Sequence, residues 1–214
     1  MQLYSFFNSS TSYRVRIALA LKGLPYDYTG VDIRIKKHRE ADYVALNPNA
    51  NVPLLRDDGF DLGQSLAIID YLDAKHPATR LIPVEPELRA RVLELSYAIA
   101  CDIHPVDNLR ILKYLVGVLG VTPEQKDAWY AHWVREGLTT VEELLSRHGS
   151  DTGPYCFGDQ PTLADCCLVP QMYNAIRNNC DVSAYPRAVK IYEYCIKQPA
   201  FMQAAPSAQP DSKP

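Results

Sequence analysis

The sequence predicts a small α/β domain followed by an all-helical domain, and three observations support this division. Residues 1 to about 77 alternate short strand-like runs with stretches of helical spacing, in the order βαβ and then ββα. Residues 76–86 carry three prolines among small and polar residues, which is typical of a linker. After the linker, apolar residues recur at helical spacing in four segments: 88–119 (interrupted by Pro105), 123–147, 162–178 and 185–196.

These patterns place the α/β domain at residues 1–80 and the helical domain at residues 87–202. The segment 203–214 is rich in Pro, Ala, Ser and Gln, a composition that cannot bury much apolar surface. We therefore expect a disordered tail from residue 203 onward.

Composition excludes several classes of protein. The 214 residues carry a formal net charge of −3 and no basic run, so a nucleic-acid partner is not expected. No apolar segment is long enough to span a membrane, and the first residues lack the charged, apolar and small pattern of a signal peptide. We therefore expect a cytoplasmic protein with no membrane partner.

The cysteines and histidines do not indicate a metal site. The six cysteines form no CxxC pair, and no histidine lies at metal-ligand spacing from two of them. We interpret the cysteines as structural and expect no bound metal.

A cluster of hydroxyl side chains stands where the first strand ends and the first helix begins. Leu3 to Phe7 is typical of a short buried strand, and helical spacing then continues to Gly23. The residues between are Ser9, Ser10, Thr11 and Ser12. A helix start gathers free N–H groups and favours an anion, and a thiolate is such an anion. The alternative is that Ser10, Thr11 or Ser12 merely caps the helix.

The rest of the α/β domain contains a second strand at 26–32 and a hairpin. Asp58-Gly59 is a strong turn signal between two strand-like runs. Ser65 then precedes a helical pattern and is its natural N-cap.

Pro53 stands at the start of a strand. If its peptide bond is cis, the Val52 backbone can pair with an extended peptide ligand, whereas a trans bond is the commoner case. In the helical domain, Thr162 to Asp165 has the character of a capping box.

The stretch from Ser9 to Leu19 resembles the SSCSxRVRIAL signature of zeta-class glutathione transferases, a class that includes maleylacetoacetate and maleylpyruvate isomerases. The agreement continues, in the same order, through shorter motifs at 45–48, 52–53, 64–69, 158–159, 163–165 and 168–171. The resemblance covers nearly the whole chain up to the tail. It implies a thioredoxin-like first domain and, with the helical domain, the glutathione transferase fold.

The resemblance also implies how glutathione is held. Gln64 and Ser65 hold its γ-glutamyl end, Val52 beside a cis Pro53 pairs with the cysteinyl backbone, and His38 is a candidate for its glycine carboxylate. The sulfur is surrounded by Ser9, Ser10 and Thr11. Arg14 is expected to be partly structural, paired with carboxylates.

The reaction implied is isomerisation of a maleyl keto acid in aromatic catabolism. A thiolate adds to the double bond, the skeleton rotates, and the thiolate leaves, so glutathione is a cofactor that is not consumed. The substrate carries carboxylates, which calls for arginine, and the family's substrate-side arginines match Arg110 and Arg177. His104 and Asn108 are expected to line the same site. The resemblance further implies a homodimer in which Asp102 holds the ammonium group of the neighbouring subunit's glutathione.

Two residues depart from the family pattern. The family usually has Arg immediately before Ser-Ser, whereas this chain has Asn8, and the signature Cys is Thr11. Since the Arg is expected to bind substrate carboxylate, Asn8 favours an alternative in which the thiolate conjugates or dehalogenates small α-halo acids. A third hypothesis is a glutathione-binding module without catalysis.

Overall fold

The computed structural model of the protein describes residues 1–149 and 153–212. The chain folds into two compact units. The first consists of Met1–Ile82 together with Ile196–Pro214, and the second consists of Pro83–Cys195. The chain therefore builds most of the first unit, then the whole second unit, and finally returns to the first.

In the first part of the first unit, strands and helices alternate as the sequence predicts. In chain order they are β1 (Gln2–Ser5), α1 (Ser10–Leu21), β2 (Asp27–Gly30), a 3₁₀ turn (Lys37–Arg39), α2 (Ala41–Leu46), β3 (Leu54–Asp57), β4 (Phe60–Gly63) and α3 (Ser65–Lys75). The strands form one sheet in the order β2-β1-β3-β4, in which β1 and β2 are parallel and the other pairs are antiparallel. This βαβ and ββα arrangement is the predicted thioredoxin-like fold.

Two turns in this unit follow the glycine signals in the sequence. Asp58 and Gly59 both have positive φ angles, of 51° and 84°, as a two-residue hairpin turn between β3 and β4 requires. Gly23 has a φ of 64° directly after α1, and its N–H donates to the carbonyl of Ala20. A residue with a side chain would be strained at either glycine.

The first helix is buried on all sides instead of along one face. Every residue from Ser12 to Leu19 is buried, including two arginines in the middle of the helix. The sequence pattern shows the apolar positions of this helix but not the burial of its charged ones.

The second unit is all-helical in the described residues. It contains α4 (Pro86–Tyr97), a π-helical turn (Ala98–Ile103), α5 (Leu109–Gly117), α6 (Pro123–His148), α7 (Leu163–Arg177) and α8 (Pro186–Cys195). At the start of α7, the buried carboxylate of Asp165 accepts hydrogen bonds from the N–H and hydroxyl of Thr162 and from the N–H of Cys156. This is the predicted capping motif. No helix among the described residues is long and apolar enough to cross a membrane.

The C-terminal segment is folded, so the prediction of a disordered tail from residue 203 is wrong for its described part, 203–212. The chain forms α9 (Pro199–Ala204) and two 3₁₀ turns (Pro206–Ala208 and Pro210–Ser212). Phe201 is fully buried, and its carbonyl accepts a 3.5 Å hydrogen bond from the hydroxyl of Tyr13 on α1. The composition of the segment is typical of disorder, but tertiary contacts with the first unit hold it. These contacts also explain why the second unit ends at Cys195, before the predicted boundary at 202.

Candidate functional site

The hydroxyl cluster lies at the start of α1, and Ser9 is the N-cap of that helix. The Ser9 side chain accepts a 3.2 Å hydrogen bond from the N–H of Ser12. The alternative, in which Ser10, Thr11 or Ser12 is the cap, is therefore wrong, because Ser10 is already the first residue of the helix. The capping hydroxyl thus lies at the positive end of the helix dipole.

The hydroxyls of Ser9 and Thr11 form a directed chain that ends on the carbonyl of Val52. Thr11 Oγ1 donates to the Val52 carbonyl oxygen at 2.9 Å, and Ser9 Oγ lies 2.9 Å from Thr11 Oγ1. Because a hydroxyl has only one proton, and that of Thr11 is committed to Val52, Ser9 is the donor to Thr11. Ser9 and Thr11 are partly exposed, whereas Ser10 and Ser12 are buried. Ser9 and Thr11 are therefore the two hydroxyls of the cluster that a ligand can contact most readily.

The peptide bond between Val52 and Pro53 is cis, as the resemblance implies. It lies directly before β3 and brings the Val52 carbonyl to the hydroxyl of Thr11. A carbonyl oxygen has two lone pairs, so this oxygen can accept a second hydrogen bond from a ligand N–H.

The start of α3 forms a second polar group in the same unit. Gln64, not Ser65, occupies the N-cap position, with a φ of 68° and no capping bond from its side chain, so the prediction that Ser65 is the cap is wrong. Ser65 is the first residue of the helix and is buried, with its Oγ 3.4 Å from Arg14 Nη1. A positive φ at a residue other than glycine is strained and is often found where the backbone meets a ligand. The hydroxyl and the first N–H groups of α3 together suit a carboxylate.

Arg14 is a residue whose place in the site the sequence did not reveal. It is 2% exposed, and its Nε and Nη2 atoms have no hydrogen-bond partner among the described residues. The sequence prediction paired it with carboxylates, but its side chain instead donates to Ser65. A buried guanidinium with unused donors is costly unless an anion reaches it. The sequence feature that could have indicated the burial of Arg14 is its place inside a helix that is otherwise largely apolar.

His38 lies in the 3₁₀ turn between β2 and α2 and is partly buried. Its chain neighbours Lys37 and Arg39 are exposed cations. The segment therefore presents positive charge suited to a carboxylate.

Three of the five candidates in the second unit lie together where the π-helical turn leads into α5. Asn108 is the N-cap of α5, and its Oδ1 accepts a 3.0 Å hydrogen bond from the N–H of Arg110. Its Nδ2 lies 3.2 Å from Nε2 of His104. Since an amide NH₂ group can only donate, this contact assigns the acceptor role to Nε2 and the proton of neutral His104 to Nδ1.

The other two candidates of the second unit lie on its surface. Asp102 is exposed in the π-helical turn, and Arg177 is the exposed last residue of α7. The side chain of Arg110 is likewise exposed. These groups are solvated in the free protein and open to an ionic ligand.

Asp107 is a buried carboxyl that the sequence analysis did not single out. It is 9% exposed, and neither carboxyl oxygen has a hydrogen-bond partner among the described residues. Burial raises its pKa to about 7. Burial also raises the pKa of Tyr130 on α6, and the negative charge of Asp107 acts in the same direction. Nothing in the sequence around Asp107 indicates this burial.

In the described part of the chain, no group of three or more His, Cys, Asp or Glu side chains is placed to hold a metal ion. All six cysteines are free thiols. The candidate groups of the first unit are hydroxyls, an amide, a histidine, backbone groups and Arg14, which suit an anionic peptide.

Comparison with known proteins agrees with this geometry. Residues 8–75 match the family model described as the glutathione S-transferase N-terminal domain. The chain is 47% identical to a probable maleylacetoacetate isomerase of Vibrio cholerae, over 98% of this chain and 97% of that protein. It is 43% identical to a maleylpyruvate isomerase of a Ralstonia species, over 99% and 100% of the two chains.

Solved structures give the same result. A holo maleylpyruvate isomerase, described as a bacterial zeta-class glutathione S-transferase, superposes with a TM-score of 0.96 at 43% identity and full coverage of both chains. A maleylacetoacetate isomerase of Anaeromyxobacter dehalogenans, with dicarboxyethyl glutathione and citrate in its active site, gives a TM-score of 0.87 at 35% identity, covering 100% of this chain and 94% of that one. The chain therefore belongs to the zeta class of the glutathione transferase family and has the glutathione transferase fold.

Proposed function

We propose that this chain is a glutathione-dependent enzyme that isomerises a maleyl keto acid, maleylacetoacetate or maleylpyruvate, to its fumaryl form. The observation that carries the proposal is the directed hydroxyl chain from Ser9 through Thr11 to Val52 at the start of α1. Relatives that match over nearly the full length of the chain carry these two activities in their names.

Residues of the first unit fit glutathione at both of its ends. The unpaired donors of Arg14, the Ser65 hydroxyl and the start of α3 suit the γ-glutamyl carboxylate, and Gln64 lies beside them on the strained turn. The Val52 backbone, next to Pro53, offers an edge for the cysteinyl amide, and His38 is the candidate for the glycine carboxylate. Each assignment pairs a carboxylate of the tripeptide with cationic or N–H and O–H donors of the protein, or a peptide N–H with a carbonyl oxygen.

When bound, glutathione supplies a thiolate that adds reversibly to the maleyl double bond, so that the skeleton rotates about a single bond before the thiolate leaves. Ser9 stabilises negative charge at the sulfur by turning its hydroxyl from Thr11 to the sulfur, aided by the N-terminal dipole of α1. Thr11 keeps its hydrogen bond to Val52 and accepts from Ser9 until the sulfur replaces it as acceptor, while the buried Ser10 lies in the first turn of the helix. The hydroxyls thus favour the ionised thiol without becoming protonated or deprotonated themselves.

In this proposal the substrate's carboxylates are bound by Arg110 and Arg177, two exposed cations of the second unit. His104 and Asn108 contribute neutral donors next to Arg110. Asn8 stands directly before Ser9 and offers an amide where the family usually has a cation. Arginine and amide donors stabilise the negative charge that spreads into the keto acid during the reaction.

The protein acts as a cytoplasmic homodimer in this proposal. Six free thiols favour a reducing compartment. The exposed carboxylate of Asp102 binds the ammonium group of the neighbouring subunit's glutathione in this dimer. Light scattering that finds only the mass of a single chain at working concentration contradicts the dimer.

The test is the loss of maleylpyruvate or maleylacetoacetate absorbance with purified protein, with and without glutathione, while free thiol is titrated throughout. We expect turnover that requires glutathione and leaves the thiol concentration constant. Because a cofactor is regenerated and a conjugating substrate is not, thiol consumption distinguishes the two kinds of reaction. Absence of turnover on both keto acids overturns the proposal.

A second candidate is conjugation or dehalogenation of small α-halo acids, and the observation that favours it is the neutral Asn8 beside Ser9. An α-halo acid has one carboxylate and therefore needs fewer cations. Thiol consumption with chloroacetate, together with inactivity on the maleyl acids, establishes this candidate instead. A protein that binds glutathione but turns over none of these substrates is a binding module.

A further inference from the structure

The C-terminal segment contacts the peptide that leads into the hydroxyl cluster. Asp211, in the last 3₁₀ turn, accepts a 3.1 Å hydrogen bond from the N–H of Phe7 through Oδ2. Its other carboxylate oxygen, Oδ1, accepts a 2.7 Å hydrogen bond from the hydroxyl of Tyr28 on β2. Phe7 stands two residues before Ser9, so the tail is bonded to the segment that carries the candidate catalytic hydroxyl.

The same peptide segment is held from its carbonyl side by Arg16. This arginine is fully buried on α1, and its Nη2 donates to the carbonyl of Phe7 at 2.9 Å, while Nη1 donates to the carbonyl of Phe6 at 3.3 Å. Its Nε donates to the carbonyl of Ala204 in the C-terminal segment at 2.9 Å. The N–H and C=O of Phe7 are thus each bonded to a charged side chain, and hydrogen bonds to charged groups are stronger than neutral ones.

Hydrogen bonds within the C-terminal segment hold the Asp211 carboxylate next to the N–H of Phe7. Gln209 is buried, and its side chain donates to the carbonyls of Gln203 and Ala205, which holds the segment before Asp211 in a fixed turn. On the other side, Gly30 at the end of β2 lies close to the Asp211 side chain: a Cβ at this position would be 3.4 Å from Cβ of Asp211, at van der Waals contact.

The helix α1 holds Ser9 from its C-terminal side, whereas on the N-terminal side its position depends on this peptide, because residues 6–8 belong to neither β1 nor α1. The N–H of Ser9 donates to the carbonyl of Phe6 at 3.0 Å in a tight turn, so a shift of the Phe6–Phe7 peptide moves Ser9 with it. A displacement of about 1 Å in a catalytic group is enough to reduce a rate by up to about 100-fold.

We propose that Asp211 is a positioning residue for Ser9: through the N–H of Phe7 it fixes the turn that aims the Ser9 hydroxyl at the glutathione sulfur. The role of Ser9 in this statement rests on the proposed function. The C-terminal segment then takes part in catalysis through Asp211, which acts by way of the Phe7 N–H and not on the reacting atoms.

The test compares Asp211→Asn and Asp211→Ala with Ser212→Ala in the full chain. Ser212 is the matched control, because among the described residues its hydroxyl donates within the tail, to the carbonyl of Ser207. Hydrogen–deuterium exchange of the free protein is measured at residues 7–12, and the pKa of the bound glutathione thiol is read from its ultraviolet absorbance. We expect both Asp211 variants to exchange faster at residues 7–12 and to shift the thiol pKa toward the free value of about 8.5. We also expect kcat to fall on the order of tenfold with little change in the KM for glutathione.

A purely stabilising role of Asp211 predicts a different outcome. In that case the Asp211 variants have a lower melting temperature than the parent protein. Their thiol pKa and kcat are unchanged as long as the protein is still folded at the assay temperature. That result, or unchanged exchange at residues 7–12, overturns the inference. If Asp211→Ala fails to fold, Asp211→Asn and Tyr28→Phe give the same readouts; Tyr28→Phe removes the second partner of the carboxylate together with the contact of the same hydroxyl with Ser5. Wild-type protein without glutathione-dependent turnover refutes the proposed function instead, while exchange and thiol pKa still decide the role of Asp211.

Discussion

The hydroxyl of Thr11 donates to the carbonyl of Val52 at 2.9 Å, and this bond determines the direction in which the Ser9 hydroxyl points. With its own proton committed to Val52, Thr11 can only accept from Ser9. The two hydroxyls therefore have different roles: Ser9 is the group free to turn toward a ligand, and Thr11 orients it.

Replacing Ser9 by Ala is expected to lower kcat by about 100- to 1,000-fold, the effect of losing one donor to developing negative charge. The affinity for glutathione should change little, because the groups at the start of α3 remain. The variant also loses the N-cap of α1, at a cost of about 1 kcal/mol in the free energy of unfolding. Thr122→Ala, which removes the N-cap of α6, is the control: it should lose similar stability and keep its turnover. A Ser9→Ala enzyme that retains most of its turnover contradicts the role of Ser9.

Replacing Thr11 by Val should have a smaller effect, since only an orienting bond of about 1 kcal/mol is lost, which corresponds to about fivefold in kcat. Thr11→Ser keeps the hydroxyl and should be close to the parent enzyme. Steady-state kinetics with saturating glutathione measures both variants. If Thr11→Val is as slow as Ser9→Ala, Thr11 and not Ser9 is the direct donor to the sulfur.

Arg14→Met is expected to weaken glutathione binding by about 10- to 100-fold, since a hydrogen bond to a charged group contributes about 1.5–3 kcal/mol. The free protein should be as stable as the parent or more stable, because the unpaired Nε and Nη2 atoms are removed from the interior. Calorimetric titration and thermal unfolding with and without glutathione measure both effects. Arg16→Met provides the contrast: each of its three nitrogens has an acceptor, so its loss should destabilise the free protein. Unchanged glutathione affinity in Arg14→Met would remove Arg14 from the site.

Asn8→Arg should lower the KM for a maleyl keto acid on the order of tenfold, because an arginine–carboxylate pair replaces a neutral contact. Conjugation of an uncharged aryl halide should not improve. Asn8→Gln, which lengthens the side chain without adding charge, is the control. If Asn8→Arg gains nothing over Asn8→Gln, position 8 does not contact the substrate carboxylate.

Asp107 makes stability depend on pH in a direction set by its burial. Its pKa of about 7 in the folded protein lies above the unfolded value of about 3.9. Between these values the folded state holds more protons than the unfolded state, so the free energy of unfolding falls as pH rises from about 4 to about 7. Above pH 7 the destabilisation is complete.

Asp107→Asn is therefore expected to stabilise the protein at pH 8 and to have a diminishing effect toward pH 4. One pKa unit corresponds to about 1.4 kcal/mol, so the full shift is worth at most about 4 kcal/mol. We expect about half of this, because solvent screens an incompletely buried carboxylate and because Asn also buries an amide. Urea unfolding at several pH values measures the difference. Glu193→Gln, an exposed carboxylate on α8, should show no such trend. A stabilisation that does not vary with pH is the result that contradicts the assignment.

Much of the fold followed from local signals. Asp58-Gly59 identified the hairpin and Gly23 the end of α1, because positive φ angles restrict the residue type at those positions. The hydroxyls at 9–12 identified the β1–α1 junction as a site, and the family motifs identified glutathione as the ligand.

Other features could not be read locally because they depend on residues far apart in the chain. Arg14 meets Ser65, and Asp211 meets Phe7, across sequence separations that no periodic pattern encodes. For the same reason the tail at 203–212 was expected to be disordered: its composition is typical of disorder, but Phe201, Gln209 and Asp211 order it through contacts with α1, β2 and the segment before Ser9.

The sequence by itself determined the two-domain organisation, the strand and helix order, and the residue types available to hold a thiol and a tripeptide. The tertiary structure decided that Ser9 caps α1 and donates to Thr11, and that Arg14 donates to Ser65 while its Nε and Nη2 atoms, like the carboxyl of buried Asp107, have no partner among the described residues. The physical reason is that secondary structure follows from local backbone preferences and apolar periodicity. Which polar atoms meet in the interior is instead settled by packing between segments distant in sequence.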